Sequence, residues 1–287
     1  MEIVIGTYDH CLLGIKVDKL ETIKPELSLS FTLKQQTGTI RTIACSNKQH
    51  WLVSGGDEEQ LHLINLKTRK EYGSLLGHSG TITDLKFLTD GSLVSCSGDG
   101  TIIFWKYGKV NGSKKALWEK YDSISNTKND MKKVHKDEPY KEKTSYKTMA
   151  IHSSENLAIC GDATFKTLNI LDFTEKSVVA EKKLRGKGKK NPLDRPDQIE
   201  FSGDDFYIFT EPNILRKRDL TGIEKWKVSL SMTKVNGFLV LENRVLVYGQ
   251  NLGAEDGKRT RKSAFQFLDA ETGEEAELQE FHSNLFL

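Results

Sequence analysis

Short runs of alternating apolar and polar residues, separated by turn residues, recur along the chain. The clearest run is Leu93–Trp105, where two apolar-rich segments flank the turn Gly98-Asp99-Gly100, which is the pattern of a β-hairpin. A similar run lies 41 residues earlier at Leu52–Ile64, and another at Ile3–Ile15. The main signal in the sequence is therefore a repeat that contains β-hairpins.

Three weaker copies of the hairpin follow downstream. They pair Leu157–Cys160 with Leu168–Leu171, Phe206–Phe209 with Ile214–Lys217, and Arg244–Tyr248 with Ala264–Leu268. A unit of roughly 40 residues with several short strands is typical of a β-propeller built from four-stranded blades. We predict an all-β fold in which residues 1–287 form a single β-propeller domain. Six repeats favour six blades, and seven blades are the alternative.

The chain ends are predicted to close the ring together. Ile3–Thr7 and Leu12–Val17 supply two strands of the first blade, and Phe31–Leu33 supplies its outer strand. An innermost strand is missing, and we expect Asn284–Leu287 to supply it after Glu277–Phe281 completes the sixth blade. Pairing the N- and C-terminal strands in one blade would remove the exposed edges of an open ring.

Composition excludes several protein classes. The chain is 37% hydrophobic and 29% charged, and its apolar runs are only a few residues long, so no membrane association is expected. The N-terminus lacks the features of a secretory signal. Four dispersed cysteines without a CxxC pair argue against a zinc ribbon or a thiol oxidoreductase and suit a reducing compartment.

Motifs of catalysis and cofactor binding are missing from the sequence. It contains no HExxH, GxSxG, GxGxxG or GxxxxGK[ST] pattern, and its seven histidines are scattered. We therefore expect no enzymatic activity, no bound metal and no cofactor.

Charge is balanced overall but basic in three local runs. Lys106–Lys147 holds 12 lysines and six acids, and Lys182–Arg195 holds seven bases and one acid. The third run, Lys258–Lys262, is expected to be a turn joining two strands of the last blade. Such runs can be solvated loops, or they can bind a polyanion by releasing counterions from its phosphates. The candidate polyanion-binding residues are Lys132, Lys133, Lys187, Lys189, Lys190, Arg195, Lys258, Arg259, Arg261 and Lys262.

The stretch of residues 109–147 is predicted to be a flexible, Lys-rich insertion, because it has few apolar residues and is long for a connection.

The polar residues most easily given a specific role lie just before this insertion. Asp99, in a tight turn, can accept backbone N–H bonds and contact a histidine, for which His78 is well placed. With Trp105 these residues are predicted to form a buried structural network. The catalytic alternative would use Ser95 or Ser97 as a nucleophile, but both are expected to be buried.

Gly77-His78, Asp99 and Trp105 together resemble the signature of WD repeats. Longer strings, Glu2–Tyr8, His78–Phe87 and Ala150–Ile159, are similar to those of the PAK-kinase-interacting WD-repeat proteins. The sequence departs from that family in three ways. Leu171 stands where the family has a tryptophan, residues 109–147 look inserted, and the family's seventh blade and Lys-rich tail are not expected here.

This resemblance implies a non-enzymatic scaffold in assembly of the large (60S) ribosomal subunit. The implied partners are pre-60S ribosomal proteins, assembly factors and rRNA, with the protein a monomer within a larger complex. The implied location is the nucleus and nucleolus, with the cytoplasm as the alternative. Family members are also described as negative regulators of PAK kinases, so a signalling adaptor that inhibits such a kinase is the second hypothesis. A propeller hydrolase is the third.

Overall fold

A computed structural model of the chain describes residues 2–18, 26–34, 36–48, 50–109, 116–125, 127–128, 142–143, 145–162, 167–183, 195–211, 213–255 and 258–282. These residues form strands and turns. They contain no helix long and apolar enough to cross a membrane. The chain divides into two compact units, residues 1–147 and 148–287, and each is described by itself.

The first unit contains three antiparallel sheets and a two-stranded ribbon. The first sheet has the order β1-β2-β3, the second β4-β5-β6-β7 and the third β11-β10-β9-β8, and the ribbon pairs β12 with β13. The strands are β1 (Glu2–Gly6), β2 (Cys11–Asp18), β3 (Glu26–Lys34), β4 (Ile40–Cys45), β5 (Trp51–Gly56), β6 (Gln60–Asn65), β7 (Lys70–Leu76), β8 (Ile82–Phe87), β9 (Leu93–Ser97), β10 (Thr101–Lys109), β11 (Ala116–Ser125), β12 (Thr127–Lys128) and β13 (Glu142–Lys143).

The second unit contains three four-stranded antiparallel sheets, each formed by strands that follow one another in sequence. The strand β14 begins with Tyr146 and Lys147, the last two residues of the first unit. The strands are β14 (Tyr146–Ile151), β15 (Leu157–Asp162), β16 (Thr167–Asp172), β17 (Ser177–Lys183), β18 (Arg195–Ser202), β19 (Asp205–Glu211), β20 (Ile214–Asp219), β21 (Glu224–Ser229), β22 (Lys234–Val240), β23 (Arg244–Glu255), β24 (Lys258–Asp269) and β25 (Glu275–His282).

The repeat in the sequence therefore corresponds to one sheet, or blade, per repeat. The predicted all-β propeller fold with six blades is confirmed, and the three downstream hairpins form β15–β16, β19–β20 and β23–β24 as predicted. The residues Glu277–Phe281 lie in β25, which completes the last sheet as predicted. The proposed innermost strand, Asn284–Leu287, lies outside the described residues.

Central strands are buried on both faces, so their apolar residues are continuous rather than alternating. In the first unit, Val53, Leu63, Leu85 and Trp105 belong to one apolar cluster that joins the second and third blades. A close approach between these blades requires Gly55, because a Cβ atom there would lie 2.6 Å from the Ile82 side chain. Small residues at the ends of inner strands thus set how tightly neighbouring blades pack.

Two sequence predictions about loops were wrong. Residues 116–125, assigned to the insertion, form β11, the outer strand of the third blade, which buries Trp118 and Ile124. The basic run Lys258–Lys262, predicted to be a turn, lies in β24 and pairs with Asn251–Glu255 of β23. In both cases the ladder of backbone hydrogen bonds continues through residues whose polar side chains resemble those of a loop. The prediction of a single domain stays a prediction.

Candidate functional site

The polar network of the third blade lies at the turn between β9 and β10. The indole N–H of Trp105 donates to Ser95 Oγ over 2.8 Å, and this Oγ lies 2.7 Å from His78 Nε2. On the other side of the imidazole, His78 Nδ1 lies 3.3 Å from Asp99 Oδ2. The structure therefore brings His78, Asp99 and Trp105 together, with Ser95 as the link between them.

The carboxylate of Asp99 also fixes the backbone around the turn. It accepts hydrogen bonds from the Ser79 amide at 2.8 Å, from the Thr101 amide at 2.8 Å and from the Thr101 hydroxyl at 2.6 Å. Burial by itself would raise the pKa of Asp99. The hydrogen bonds from His78, Thr101 and Ser79 outweigh burial and hold that pKa well below its ordinary value. Asp99 is therefore a fixed negative charge at neutral pH.

The order of serine, histidine and aspartate matches that of a hydrolytic triad, but access decides against that chemistry. Ser95 is 0% exposed, and its hydroxyl already accepts the Trp105 N–H while contacting His78. If His78 directs its Nδ1–H at Asp99, Nε2 is free to accept the Ser95 proton, which gives one continuous donor chain from Trp105 to Asp99. The arrangement can hold strands and a loop together, and a substrate carbonyl cannot reach its serine.

The second blade contains a modified version of the same network. Gln36 Nε2 donates to Ser54 Oγ over 2.6 Å, so Gln36 and Ser54 make a contact like that of His78 and Ser95. Glu58, in the turn before β6, accepts the Gly38 amide at 2.9 Å and also hydrogen-bonds Thr37. Its second oxygen lies 2.7 Å from His62 Nε2. A glutamine and a glutamate thus replace the histidine and the aspartate.

Glu58 is a second carboxyl group whose pKa is shifted. Burial would raise the pKa of Glu58, but hydrogen bonds from Thr37, His62 and Gly38 oppose burial and lower the pKa from 4.5 to about 2. The loop before β4 is therefore held by a charged acceptor, as the loop before β8 is held by Asp99.

In the second unit a single backbone carbonyl accepts hydrogen bonds from three side chains. The Ala270 oxygen accepts from Lys217 Nζ at 3.0 Å, Tyr207 Oη at 3.2 Å and Trp226 Nε1 at 3.2 Å. Trp226 also packs on Gly273, where a Cβ atom would lie 2.7 Å from the indole. These contacts attach the turn between β24 and β25 to the preceding blade.

The structure does not bring the predicted polyanion-binding residues into one described site. Lys132, Lys133, Lys187, Lys189 and Lys190 lie outside the described residues. The backbones of Arg195, Lys258, Arg259 and Arg261 lie in strands, and the half-buried Lys262 lies in β24. Their role in binding stays a prediction. Among the described residues, no group of three or more histidine, cysteine, aspartate or glutamate side chains could hold a metal ion.

Sequence reasoning missed Gln36, Ser54, Glu58 and His62 as a network. A signal was available, since Gly38-Thr39-Ile40 matches Gly80-Thr81-Ile82, and the same offset of 42 places Gln36 at the position of His78. The residue types obscured this correspondence. The three donors on the Ala270 carbonyl had no signal of this kind, because backbone acceptors leave no pattern in the sequence.

Comparison with known proteins agrees with this geometry. The family described as WD domain, G-beta repeat matches residues 69–106, which include His78, Asp99 and Trp105. The chain therefore contains a WD repeat at residues 69–106. The matched residues cover the blade in which the polar network is most complete, as expected if this network is the basis of the WD-repeat signature.

Curated relatives of this chain confirm the resemblance to PAK-kinase-interacting proteins. A p21-activated protein kinase-interacting protein 1-like from Gallus gallus is 29% identical over 60% of this chain and 40% of its own length. Protein MAK11 from Saccharomyces cerevisiae is 30% identical over 36% of this chain and 30% of its own length.

DDB1- and CUL4-associated factor 6 from Homo sapiens is 35% identical over 34% of this chain and 14% of its own length. The chain spans about two fifths of the length of the kinase-interacting relatives from chicken, frog and zebrafish. None of these names states a catalytic activity.

Proposed function

We propose that this WD-repeat protein is a non-enzymatic scaffold for assembly of the large ribosomal subunit, acting in the nucleus and nucleolus. It would work as a monomer within a larger complex. Its blades would present loops to pre-60S ribosomal proteins and assembly factors, and its basic segments would contact rRNA. A single propeller domain is part of this proposal.

The observation that carries the scaffold role is the use of reactive side chains inside the third blade. Ser95, His78 and Asp99 are committed to one another and to Trp105, so they stabilise a rigid framework. Rigid frameworks carry variable loops, which is where binding residues concentrate. The ribosomal role is supported by the resemblance of Glu2–Tyr8 and His78–Phe87 to assembly factors. The three basic runs also support it.

Affinity purification of the tagged protein from its own cells, at low and moderate salt, tests this proposal. We expect large-subunit precursor RNA and proteins to co-purify at low salt and to decline as salt rises, because phosphate contacts depend on counterion release. Charge reversal of Lys187, Lys189, Lys190, Arg259 and Arg261 should abolish the RNA signal.

A control for the pair Arg259 and Arg261 reverses the exposed Lys227 and Lys234, which lie outside the basic runs. If this control loses the RNA to the same extent, the loss reflects net charge and the basic runs have no specific role. Purification without any precursor RNA would refute the ribosomal proposal.

An adaptor that binds and inhibits a PAK-type kinase is the second candidate, favoured by the names of the relatives. The same purification distinguishes it. A kinase that co-purifies at both salt concentrations without rRNA would favour the adaptor and leave the basic runs as solvated surface.

A further inference from the structure

Four aromatic rings gather at one edge of the second and third blades, and we call them, with the exposed Lys70 and Lys109, the aromatic–basic surface. The ring of Trp51 lies 4.8 Å from that of Tyr72 and 5.1 Å from that of Tyr107, centroid to centroid. The ring of Trp118 lies 5.6 Å from that of Tyr107. The rings come from β5, β7, β10 and β11, so strands of two blades support the cluster.

The outer rings of this surface remain open to solvent. Trp118 is only 9% exposed, whereas Tyr72 is 42% and Tyr107 is 39% exposed. Tyr107 pairs directly with Trp118 across β10 and β11. Side chains two residues apart on a strand share a face, so Lys109 stands on the same side as Tyr107. The buried tryptophan thus supports a tyrosine that keeps more than a third of its surface exposed, with a lysine on the same side of the strand.

The charge at this edge favours an anionic ligand. Among the described residues, the exposed charged side chains of the turns and strand ends here include Lys48, Lys67, Lys70, Lys106 and Lys109, against Glu71, Asp90 and Glu119. At the opposite edge of the same unit, the turns before β2, β6 and β10 carry Asp9, Asp57, Glu58, Glu59 and Asp99, of which Asp57 pairs with Arg41. An anionic chain would therefore be attracted to the aromatic edge and repelled from the other.

We propose that the aromatic–basic surface binds single-stranded RNA, with bases stacked on Tyr72 and Tyr107 and phosphates contacting Lys70 and Lys109. Stacking on tyrosine and a lysine contact to the backbone are the two elements of sequence-tolerant recognition of single strands. An acidic peptide would satisfy the lysines and leave both tyrosine faces unused. Duplex RNA would present phosphates but no free bases.

This inference rests on the proposed function, since it takes RNA as the partner from there. It assigns a contact surface that contains none of the candidate polyanion-binding residues named from the sequence. The two can fail separately. Oligonucleotide binding without co-purification of ribosomal precursors would leave this surface standing and remove the ribosomal role. The reverse result would remove this surface.

The test measures binding of the full chain to a fluorescent oligouridylate of about ten nucleotides, to a duplex RNA of equal length and to an oligo-glutamate peptide. We expect preference for the oligouridylate. Tyr107→Leu, which keeps apolar bulk, should weaken binding by about tenfold through loss of a stacked base. Tyr107→Phe, which keeps the ring, should bind as the wild type does. Ultraviolet cross-linking should label Tyr72 or Tyr107.

The charge variant Lys70→Glu/Lys109→Glu should weaken oligouridylate binding. The slope of the logarithm of the association constant against the logarithm of the salt concentration should become shallower by about 0.7 for each lost phosphate contact. Lys227→Glu/Lys234→Glu is the matched control and should bind normally. Thermal unfolding verifies that each variant folds. Equal affinity for single strand and duplex, no effect of Tyr107→Leu, preference for oligo-glutamate, or no binding would each overturn the proposal.

Discussion

At the scale of single residues, the third blade depends on a chain of hydrogen bonds with one direction. Trp105 is only a donor through its indole N–H, and Asp99 is only an acceptor while ionised, so a continuous chain between them requires Ser95 and a neutral His78 that each accept on one side and donate on the other. Because Ser95 is fully buried, removal of the Trp105 N–H would leave one acceptor position of this hydroxyl unsatisfied, although its contacts with His78 and the Ile103 carbonyl would remain. Such an unsatisfied group costs more than the average hydrogen bond contributes.

Trp105→Phe tests this reasoning at one atom. The substitution keeps a large aromatic ring and removes the N–H that donates to Ser95, so we expect the free energy of unfolding to fall by about 1–3 kcal/mol. The measurement is urea unfolding followed by circular dichroism. A double-mutant cycle with Ser95→Ala separates the hydrogen bond from the change in ring size, since the two losses should be less than additive. Full additivity would show that packing alone is affected.

The residue types in each blade determined whether its polar network could be predicted from the sequence. His78, Asp99 and Trp105 were recognisable from the sequence because each is the residue type best suited to its position in the network. Gln36 and Glu58 make comparable contacts in the second blade, but neither residue type is specific to that role. Spacing alone aligned them, and spacing does not reveal which side chains meet.

At the scale of elements, turns are fixed by the residue that ends the preceding strand. Asn65 accepts backbone amides from Lys67 and Thr68, and Asp269 accepts those of Glu271 and Thr272. These turns close with a residue in the left-handed region, which is Arg69 in one and Gly273 in the other. Glycine is required at position 273 for two reasons: φ is +75°, and a Cβ atom would lie 2.7 Å from the Trp226 indole.

Gly273→Ala should therefore destabilise the protein more than the same change at another glycine in the left-handed region. Gly203 is the matched control, with a φ of +59° and no atom within 4 Å of the place that a Cβ would take. Gly203→Ala should cost about 1 kcal/mol for backbone strain alone. Gly273→Ala should cost about 1–3 kcal/mol more, because the indole must move. Equal melting temperatures for the two variants would contradict a contact between Trp226 and this turn.

The hairpins of the six repeats were predictable because their alternation and turn residues are local signals. The strand β11 was not, since its buried residues Trp118 and Ile124 are separated by exposed charged positions in a Lys-rich stretch. The extension of β24 through Lys258–Lys262 was missed for a related reason. Its backbone pairs with β23, and pairing of that kind does not require apolar side chains.

At the scale of the whole molecule, stability depends on pH through carboxylates that are more acidic when folded. Asp99 and Glu58 both have a lowered pKa, in different blades of the first unit. A carboxyl group with a lowered folded pKa stabilises the protein above its unfolded pKa, and that contribution is lost as pH falls towards the folded pKa. For Glu58 the window runs from about 4.5 down to about 2.

We therefore expect the free energy of unfolding, measured by urea titration with tryptophan fluorescence, to be nearly constant from pH 7 to about 5 and to fall below that. In the double variant Glu58→Gln/Asp99→Asn, the carboxyl groups that titrate are replaced by amides of similar shape. It should be less stable than the wild type at pH 7 and lose less stability on acidification. A difference between pH 7 and pH 3 that is at least half that of the wild type would contradict this, because other carboxyl groups would then dominate the acid response. Glu242→Gln, at an exposed turn between β22 and β23, serves as the control and should leave the shape of the profile unchanged, because solvent screens an exposed carboxylate.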